Sequence, residues 1–121
     1  MTSRHTAIDI ELPGMHLTGS VDHTPIASSL LALLPLTLQF TDFGAQEKIG
    51  RLPAALRISG APRSSNAPAA TIAYYQPAQS LVLYYEDVGT FPGIMPVGWL
   101  DEVTGLREIT SDFTATIRRA T

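Results

Sequence analysis

Hydrophobic and polar residues alternate along most of this chain, as they do in strands with one buried face. In "TAIDIEL", the apolar residues Ile8, Ile10 and Leu12 share one face, and the alternation resumes after the turn dipeptide Pro13-Gly14. This pattern predicts a β-hairpin from Thr6 to Asp22.

The next segment changes to helical spacing. Thr24 is predicted to be the N-cap and Pro25 the first helical residue, where the missing N–H has no cost. Apolar residues follow at helical spacing, and Pro35 ends the pattern; they are Ile26, Leu30, Leu33 and Leu34. We expect one amphipathic helix that closes an open end of the sheet.

Further strands are predicted along the rest of the chain. They are Leu36–Thr41, Glu47–Leu52, "TIAYY", "SLVLYYED" and "DFTATIR". Between them, Ser59–Ala70 lacks periodicity and is predicted to be a loop, the Gly/Pro-rich "DVGTFPGIMPVG" is predicted to be a connection, and "DEVTGLREI" a single turn.

Seven or eight short strands with one or two short helices predict a mainly β, all-β fold, a small closed or nearly closed β-barrel. The 121 residues form a single domain, 1–121, by length. Hydrophobic residues make up 45% of the chain and the net charge is only −3, which excludes a disordered chain.

Composition and charge narrow the function. The absence of cysteine excludes a disulfide scaffold, thiol catalysis and a cysteine-ligated metal. Scattered basic residues argue against a nucleic-acid partner. The start of the chain shows no apolar leader core, and the most apolar stretch, Ala27–Leu38, is too short to span a bilayer. We therefore expect a cytoplasmic protein without a membrane partner.

Several segments carry a resemblance to a known family. "LPLTLQFTDFGAQEKIGRLP", "GAP", "IAYYQP", "LVLYYEDVG" and "GIMPVGWLDEVTGL" resemble bacterial proteins described as having a cyclophilin-like fold, from about Thr6 to Ile117. The resemblance implies a small β-barrel closed at its ends by short helices, and no established activity.

True cyclophilins are prolyl isomerases, but their arginine, phenylalanine and glutamine signatures are not found here. "WLDEVTG" is similar to the cyclophilin segment "WLDGKH" except that Glu102-Val103 and Thr104 replace its Gly, Lys and His. A second register, which we prefer, matches the later segment that closes the barrel and keeps Gly98 and Gly105 in place. In both registers the isomerase residues are missing.

Glu47 and Arg51 lie on the same face of a predicted strand as Ile49. They are interpreted either as a charged pair at the rim of a pocket or as an ion pair on a solvated barrel edge. Glu47-Lys48 belongs first to the hairpin that builds the barrel wall.

Two tyrosine pairs each place one ring on each face of a strand. Tyr75 and Tyr84 are predicted to point outward, where they would line a groove or simply pack. Asp87 is predicted either to orient a ligand or to bond the backbone of a turn. Trp99 is expected in the core or at a barrel end rather than in a pocket wall.

No cofactor or metal is expected. His5, His16 and His23 are spaced unlike any local metal-ligand motif. Nucleotide-binding glycine motifs and a G-x-S-x-G elbow are also missing from the sequence.

The leading functional hypothesis is a non-enzymatic module that binds a small molecule or an extended peptide near Tyr75, Asp87 and the Ser59–Ala70 loop. The alternative is a weak or divergent prolyl isomerase that uses Arg51 or Arg57 in place of the lost arginine. A third hypothesis is an interaction domain that acts as a homodimer through exposed edge strands, and otherwise the chain is a monomer.

Overall fold

The structure, a computed structural model, describes residues 4–120. It contains ten strands, one α-helix and a short 3-10 helix at Gln76–Ala78. In chain order they are β1 (His5–Leu12), β2 (Met15–Asp22), α1 (Pro25–Leu31), β3 (Leu36–Phe43), β4 (Glu47–Arg51), β5 (Ser64–Ala67), β6 (Thr71–Tyr75), β7 (Ser80–Tyr84), β8 (Val88–Pro92), β9 (Ile94–Leu100) and β10 (Phe113–Arg119).

Eight of the strands form a closed antiparallel barrel in the order β1-β10-β3-β4-β7-β6-β9-β2. At one end, here called the helix end, α1 connects β2 to β3. At the other, the hairpin end, lie the β1–β2 and β3–β4 turns. The predicted closed, mainly β barrel is therefore confirmed, as is the first hairpin.

The barrel interior is filled by one side of every strand, as the alternation predicted. In β10, Phe113, Ala115 and Ile117 point inward, and the Phe113 ring stacks on Phe40 with centroids 5.5 Å apart. At about 25 cal/mol per Å² of apolar surface, this core is the main source of stability.

The helix packs its apolar face against the same core. Thr24 caps it by accepting a hydrogen bond from the Ala27 N–H, 3.4 Å away, and four of its residues are buried: Ile26, Ala27, Leu30 and Leu31. The helix ends at Leu31, earlier than predicted, and a hydrogen-bonded turn continues to Leu34.

A second, smaller layer covers part of the outside of the barrel. β5 and β8 pair with each other in a two-stranded antiparallel sheet, here called the flap. Ala67 and Val88 of the flap pack on Ala73 and Val82, which are paired across β6 and β7. The flap thus seals an apolar patch on the outer face.

The flap corrects two predictions. Ser59–Ala70 is not wholly a loop, because it contains β5, and "DVGTFPGIMPVG" is not a connection, because it contains β8 and most of β9. Serine and asparagine in one segment and Gly/Pro in the other disfavour strand assignment; pairing and packing on the barrel outweigh those local preferences.

Within residues 4–120, barrel closure leaves open strand edges only on the flap. The homodimer hypothesis, which needs exposed edges, is therefore restricted to this sheet. No helix in the described part of the chain has the length and apolar character needed to cross a membrane.

Candidate functional site

Three of the residues singled out in the sequence lie on the outer face of the barrel, two of them side by side and the third four residues farther along the strands. Glu47 of β4 pairs directly with Tyr84 of β7, and Tyr75 of β6 interacts electrostatically with Tyr84. Ile49 and Val82, the next pair along β4 and β7 on this face, lie beside them. We call Glu47, Tyr75 and Tyr84 the tyrosine–glutamate site.

The tyrosines face outward as predicted, but they are not equally exposed. Tyr75 is half-buried, and its ring lies 6.3 Å from that of Phe91, an exposed residue of the flap. Tyr84 is only 1% exposed because it packs among Ala67, Val82 and Ile94. The inward partners, Tyr74 and Tyr85, belong to the barrel core.

The hydroxyl of Tyr84 lacks a hydrogen-bond partner in the part of the chain that the structure describes. Among residues 4–120, no hydrogen bond involves this hydroxyl, and no side-chain nitrogen or oxygen that is sealed from solvent lacks a partner. The oxygen therefore keeps a small exposed area, although the residue as a whole is only 1% exposed. Burial raises the pKa of this tyrosine, and the nearby Glu47 and Tyr75 raise it further, so the hydroxyl keeps its proton at neutral pH.

Glu47 has an unusual environment for a carboxyl near a strand end. Burial raises its pKa to about 6, and the negative charge of Asp42 on β3 adds to the effect. A carboxyl that titrates near neutral pH beside a hydroxyl without a hydrogen-bond partner is typical of functional sites. In such sites, burial and neighbouring charges shift the pKa values of the side chains.

This environment predicts that Glu47→Gln stabilises the protein at pH 7 by about 1 kcal/mol. Raising the pKa of Glu47 from 4.5 to about 6 corresponds to about 2 kcal/mol, and partial solvent screening reduces this energy. Because the folded-state pKa is raised, the stability associated with the protonated carboxyl is complete below pH 4.5 and is lost as pH rises through about 6. The stabilisation by Glu47→Gln should therefore disappear at pH 4.5, as measured by urea denaturation.

Glu102→Gln is the control, because Glu102 is an exposed carboxylate in the segment after β9. It should leave the stability difference between pH 4.5 and pH 7 as in the wild type. A Glu47→Gln protein with that same wild-type difference would contradict the electrostatic description of the site.

The other two predicted site residues do not join this cluster directly. Arg51 lies on the same face as Glu47, but four residues of strand separate their Cα atoms by about 13 Å, and no ion pair joins them within residues 4–120. Arg51 is instead level with Tyr75, because both are next to Ser80 in the sheet. Asp87 accepts a hydrogen bond from the Ala69 N–H at 2.9 Å, so it holds the turn between β5 and β6, the second of its two interpretations.

The structure also places the tryptophan and the histidines. Trp99 is 39% exposed on the outer face with its ring 5.3 Å from that of His5, the first residue of β1, so the expectation of a core position is wrong. His16 pairs with Asp9 at 3.3 Å, and His23 bonds the Thr6 hydroxyl at 2.7 Å. Within 4–120, no group of three or more His, Asp or Glu residues is arranged to hold a metal.

Sequence reasoning missed a polar cluster inside the barrel at its hairpin end. Lys48 is completely buried, and its ammonium donates to the Asp42 carboxylate at 2.9 Å and to the Ile109 carbonyl. Tyr85 also donates to Asp42, at 2.5 Å, and its ring centroid lies 5.2 Å from the ammonium. We call Asp42, Lys48 and Tyr85 the lysine cluster.

Electrostatics in the lysine cluster favour the ion pair. Burial alone would raise the pKa of Asp42, but hydrogen bonds from Tyr85 and Lys48, with the ammonium charge, lower it below its ordinary value. Burial and the bond to Asp42 raise the pKa of Tyr85 to about 12. Every polar group here has a partner, so the cluster is structural, in contrast to the tyrosine–glutamate site.

Two of the surface depressions lie away from the tyrosine–glutamate site. One of about 400 Å³ is at the hairpin end beside Gln39, Ile109 and Asp112. The other, of similar size, lies beside Pro35, Arg118 and Arg119 at the helix end. Neither includes a residue of the tyrosine–glutamate site.

Comparisons with known proteins agree with this architecture. A family model described as the Cyclophilin-like family matches residues 10–118. Among solved structures, the solution structure of a hypothetical protein from Archaeoglobus fulgidus, AF2241, superposes with a TM-score of 0.77 over 98% of both chains, with 12% identical residues. At this identity the likeness concerns the fold alone. A search of curated proteins found no match.

Proposed function

This chain belongs to the cyclophilin-like family, and we propose that its barrel is a non-enzymatic module that binds a small molecule or an extended peptide at the tyrosine–glutamate site. The observation that supports this proposal most is the Tyr84 hydroxyl, which forms no hydrogen bond within residues 4–120 and keeps a small exposed area on a buried ring. A polar group held in this way is available to a ligand at little cost in side-chain entropy.

The surroundings of this hydroxyl suit a ligand with both apolar and polar parts. Tyr75 and Phe91 present aromatic surface that is partly exposed, and Glu47 supplies a hydrogen-bond acceptor beside Tyr84. Aromatic rings with polar tips are favoured at binding surfaces for this reason. All of these residues except Phe91 lie on barrel strands, which hold them rigidly.

The proposal predicts that a thermal-shift screen of metabolites and proline-containing peptides finds ligands that stabilise the protein. A ligand at 100 times its Kd adds about 2.7 kcal/mol to the free energy of unfolding, a shift of several degrees in Tm. Tyr84→Phe should reduce the shift, whereas Trp99→Phe, a change of another outer-face aromatic, should not. The absence of stabilisation by every compound at high excess would contradict the proposal.

The isomerase alternative has less support. Arg51 lies at the helix-end terminus of β4, and Arg57 lies in the segment after it, where its N–H bonds the Ser29 hydroxyl at 3.0 Å. Both are exposed, whereas the alternative needs an arginine above an apolar floor. A coupled proline-isomerisation assay separates the two functions, because a binding module leaves the rate at its value in buffer.

A further inference from the structure

Three arginines without a salt-bridge partner lie in one part of the chain. Residues 48–85 contain four of the eight Lys and Arg residues and no Asp or Glu, although the net charge of the whole chain is −3. Among residues 4–120, no ion pair or side-chain hydrogen bond involves Arg51, Arg57 or Arg63, and all three are exposed. The other basic residues after β2 each bond a carboxylate or a carbonyl; they are Lys48, Arg107, Arg118 and Arg119.

The strand register places Arg51 beside Tyr75. Both residues pair with Ser80 of β7, one from β4 and the other from β6, and both face outward. Two strand spacings therefore separate their Cα atoms by about 10 Å. The residue between them is small, and its hydroxyl bonds the Ala78 carbonyl at 2.9 Å. No long side chain of the row separates the guanidinium from the tyrosine ring.

Arg63 lies on the other side of the same ring. Its carbonyl accepts a hydrogen bond from the Gly93 N–H at 2.9 Å. A Cβ at Gly93 would lie 3.2 Å from the Tyr75 Cε1, so the backbone that holds Arg63 runs against the edge of the ring. Gly93 directly precedes β9, whereas Arg51 lies on the β7 side of β6. Tyr75 is therefore flanked by two arginines.

Aromatic surface is exposed between these two cations. Phe91, two residues before Gly93, is 52% exposed, and its ring centroid lies 6.3 Å from that of the half-buried Tyr75. Planar rings stack on such side chains in offset or edge-to-face arrangements. Arginine binds carboxylates and phosphates through two parallel hydrogen bonds. We call Arg51, Arg63, Tyr75 and Phe91 the arginine–aromatic surface.

We propose that the arginine–aromatic surface binds a small molecule that carries a phosphate or a carboxylate on an aromatic ring. Arg51 and Arg63 bond the anionic group, and the ligand ring stacks on the exposed aromatic side chains. This inference goes beyond the proposed function, because it assigns a second site, at the helix end, that needs neither Glu47 nor Tyr84. Only Tyr75 is common to both sites.

The experiment is an NMR titration of the labelled protein at pH 7 with probes that separate the charge from the ring. Phenyl phosphate and benzoate are compared with phenol, which is neutral, and with inorganic phosphate, which has no ring. Phenyl phosphate should bind about tenfold or more tightly than phenol and about fivefold more tightly than inorganic phosphate. Its chemical-shift changes should be centred on the arginine–aromatic surface. The comparison with benzoate identifies the preferred anion.

Variants test the role of each arginine. Arg51→Met and Arg63→Met should each weaken phenyl phosphate binding about tenfold. Arg57→Met is the matched control, because Arg57 is also exposed and unpaired, but its backbone N–H bonds Ser29 of α1 and not the flap. This variant should bind phenyl phosphate as tightly as the wild type does.

The outcomes separate this inference from the proposed function. If phenol binds as tightly as phenyl phosphate, or if Arg57→Met weakens binding as much as Arg51→Met, the inference is wrong. Shifts centred elsewhere, for example beside Arg118, would also contradict it. If no anionic probe binds but a screened compound binds in a way that Tyr84→Phe weakens, the inference is wrong and the proposed function stands. If phenyl phosphate binds as expected and no ligand depends on Tyr84, the inference stands and the proposed function is wrong.

Discussion

Lys48→Met is expected to lower the free energy of unfolding by about 3 kcal/mol, the lower end of the range for removing one partner of a buried ion pair. Lys48 is fully buried and Asp42 is 24% exposed, so methionine would leave a carboxylate with little solvent and without its cation. The Ile109 carbonyl would lose its donor as well. Urea denaturation at pH 7 measures the loss.

Two further variants make this result specific. Arg51→Met removes an exposed cation from the same strand and should change stability by less than about 0.5 kcal/mol. Lys48→Met combined with Asp42→Asn should cost less than the sum of the single changes, because the neutral amide no longer needs the ammonium. A Lys48→Met protein within about 1 kcal/mol of the wild type would show that the lysine cluster contributes little.

Gly98→Ala should destabilise the protein by about 3 kcal/mol, near the upper end for overpacking. The barrel is completed by only three residue pairs between β2 and β9, one of which is Val21 with Gly98. A Cβ at Gly98 would lie 2.0 Å from the Ser20 carbonyl oxygen and 2.9 Å from the Val21 Cα. Since both are backbone atoms, β2 and β9 would have to separate.

Gly89→Ala provides the matched control for this change. A Cβ at Gly89 of β8 meets no atom within 4 Å, and its φ lies outside the left-handed region, so alanine should be neutral or slightly stabilising. Thermal unfolding of both variants tests the comparison. Equal Tm values for Gly98→Ala and Gly89→Ala would contradict the tight β2–β9 approach.

Most of the barrel could be predicted because its strands bury one face each. The alternation in β1, β3 and β10 shows directly which side chains enter the core, and Pro25 and Thr24 mark the start of the helix. The cyclophilin-like resemblance is likewise confirmed by the family match, whereas the bacterial origin, the cytoplasmic location and the absence of catalysis stay predictions.

The flap could not be predicted, because its strands form only on a surface that other strands provide. Ala67 is completely buried, but an alanine between Asn66 and Pro68 carries no burial signal of its own. In the same way, Tyr84 was correctly assigned to the outer face. Its burial, however, depends on the flap, which the alternation of β7 does not predict.

The lysine cluster was missed because a lysine in a half-polar strand is usually solvated. One signal was present in the sequence. Lys48, Gly50 and Leu52 share a face of the predicted strand, and Gly50 and Leu52 are residue types that are often buried. Gly50 gives room to the Phe40 ring, since a Cβ there would lie 2.9 Å from it. Lys48 enters the barrel on the same face of β4, where it bonds Asp42.

Trp99 has a practical consequence for studies of this barrel. It is the single tryptophan of the chain, and its backbone pairs with Ser20 in the three-residue contact between β2 and β9. The protein thus carries an intrinsic fluorophore on the strand pair that completes the ring. Its fluorescence emission can report the separation of β2 from β9 without any label. The signal is distinct from that of ligand contacts at β7, two strands away.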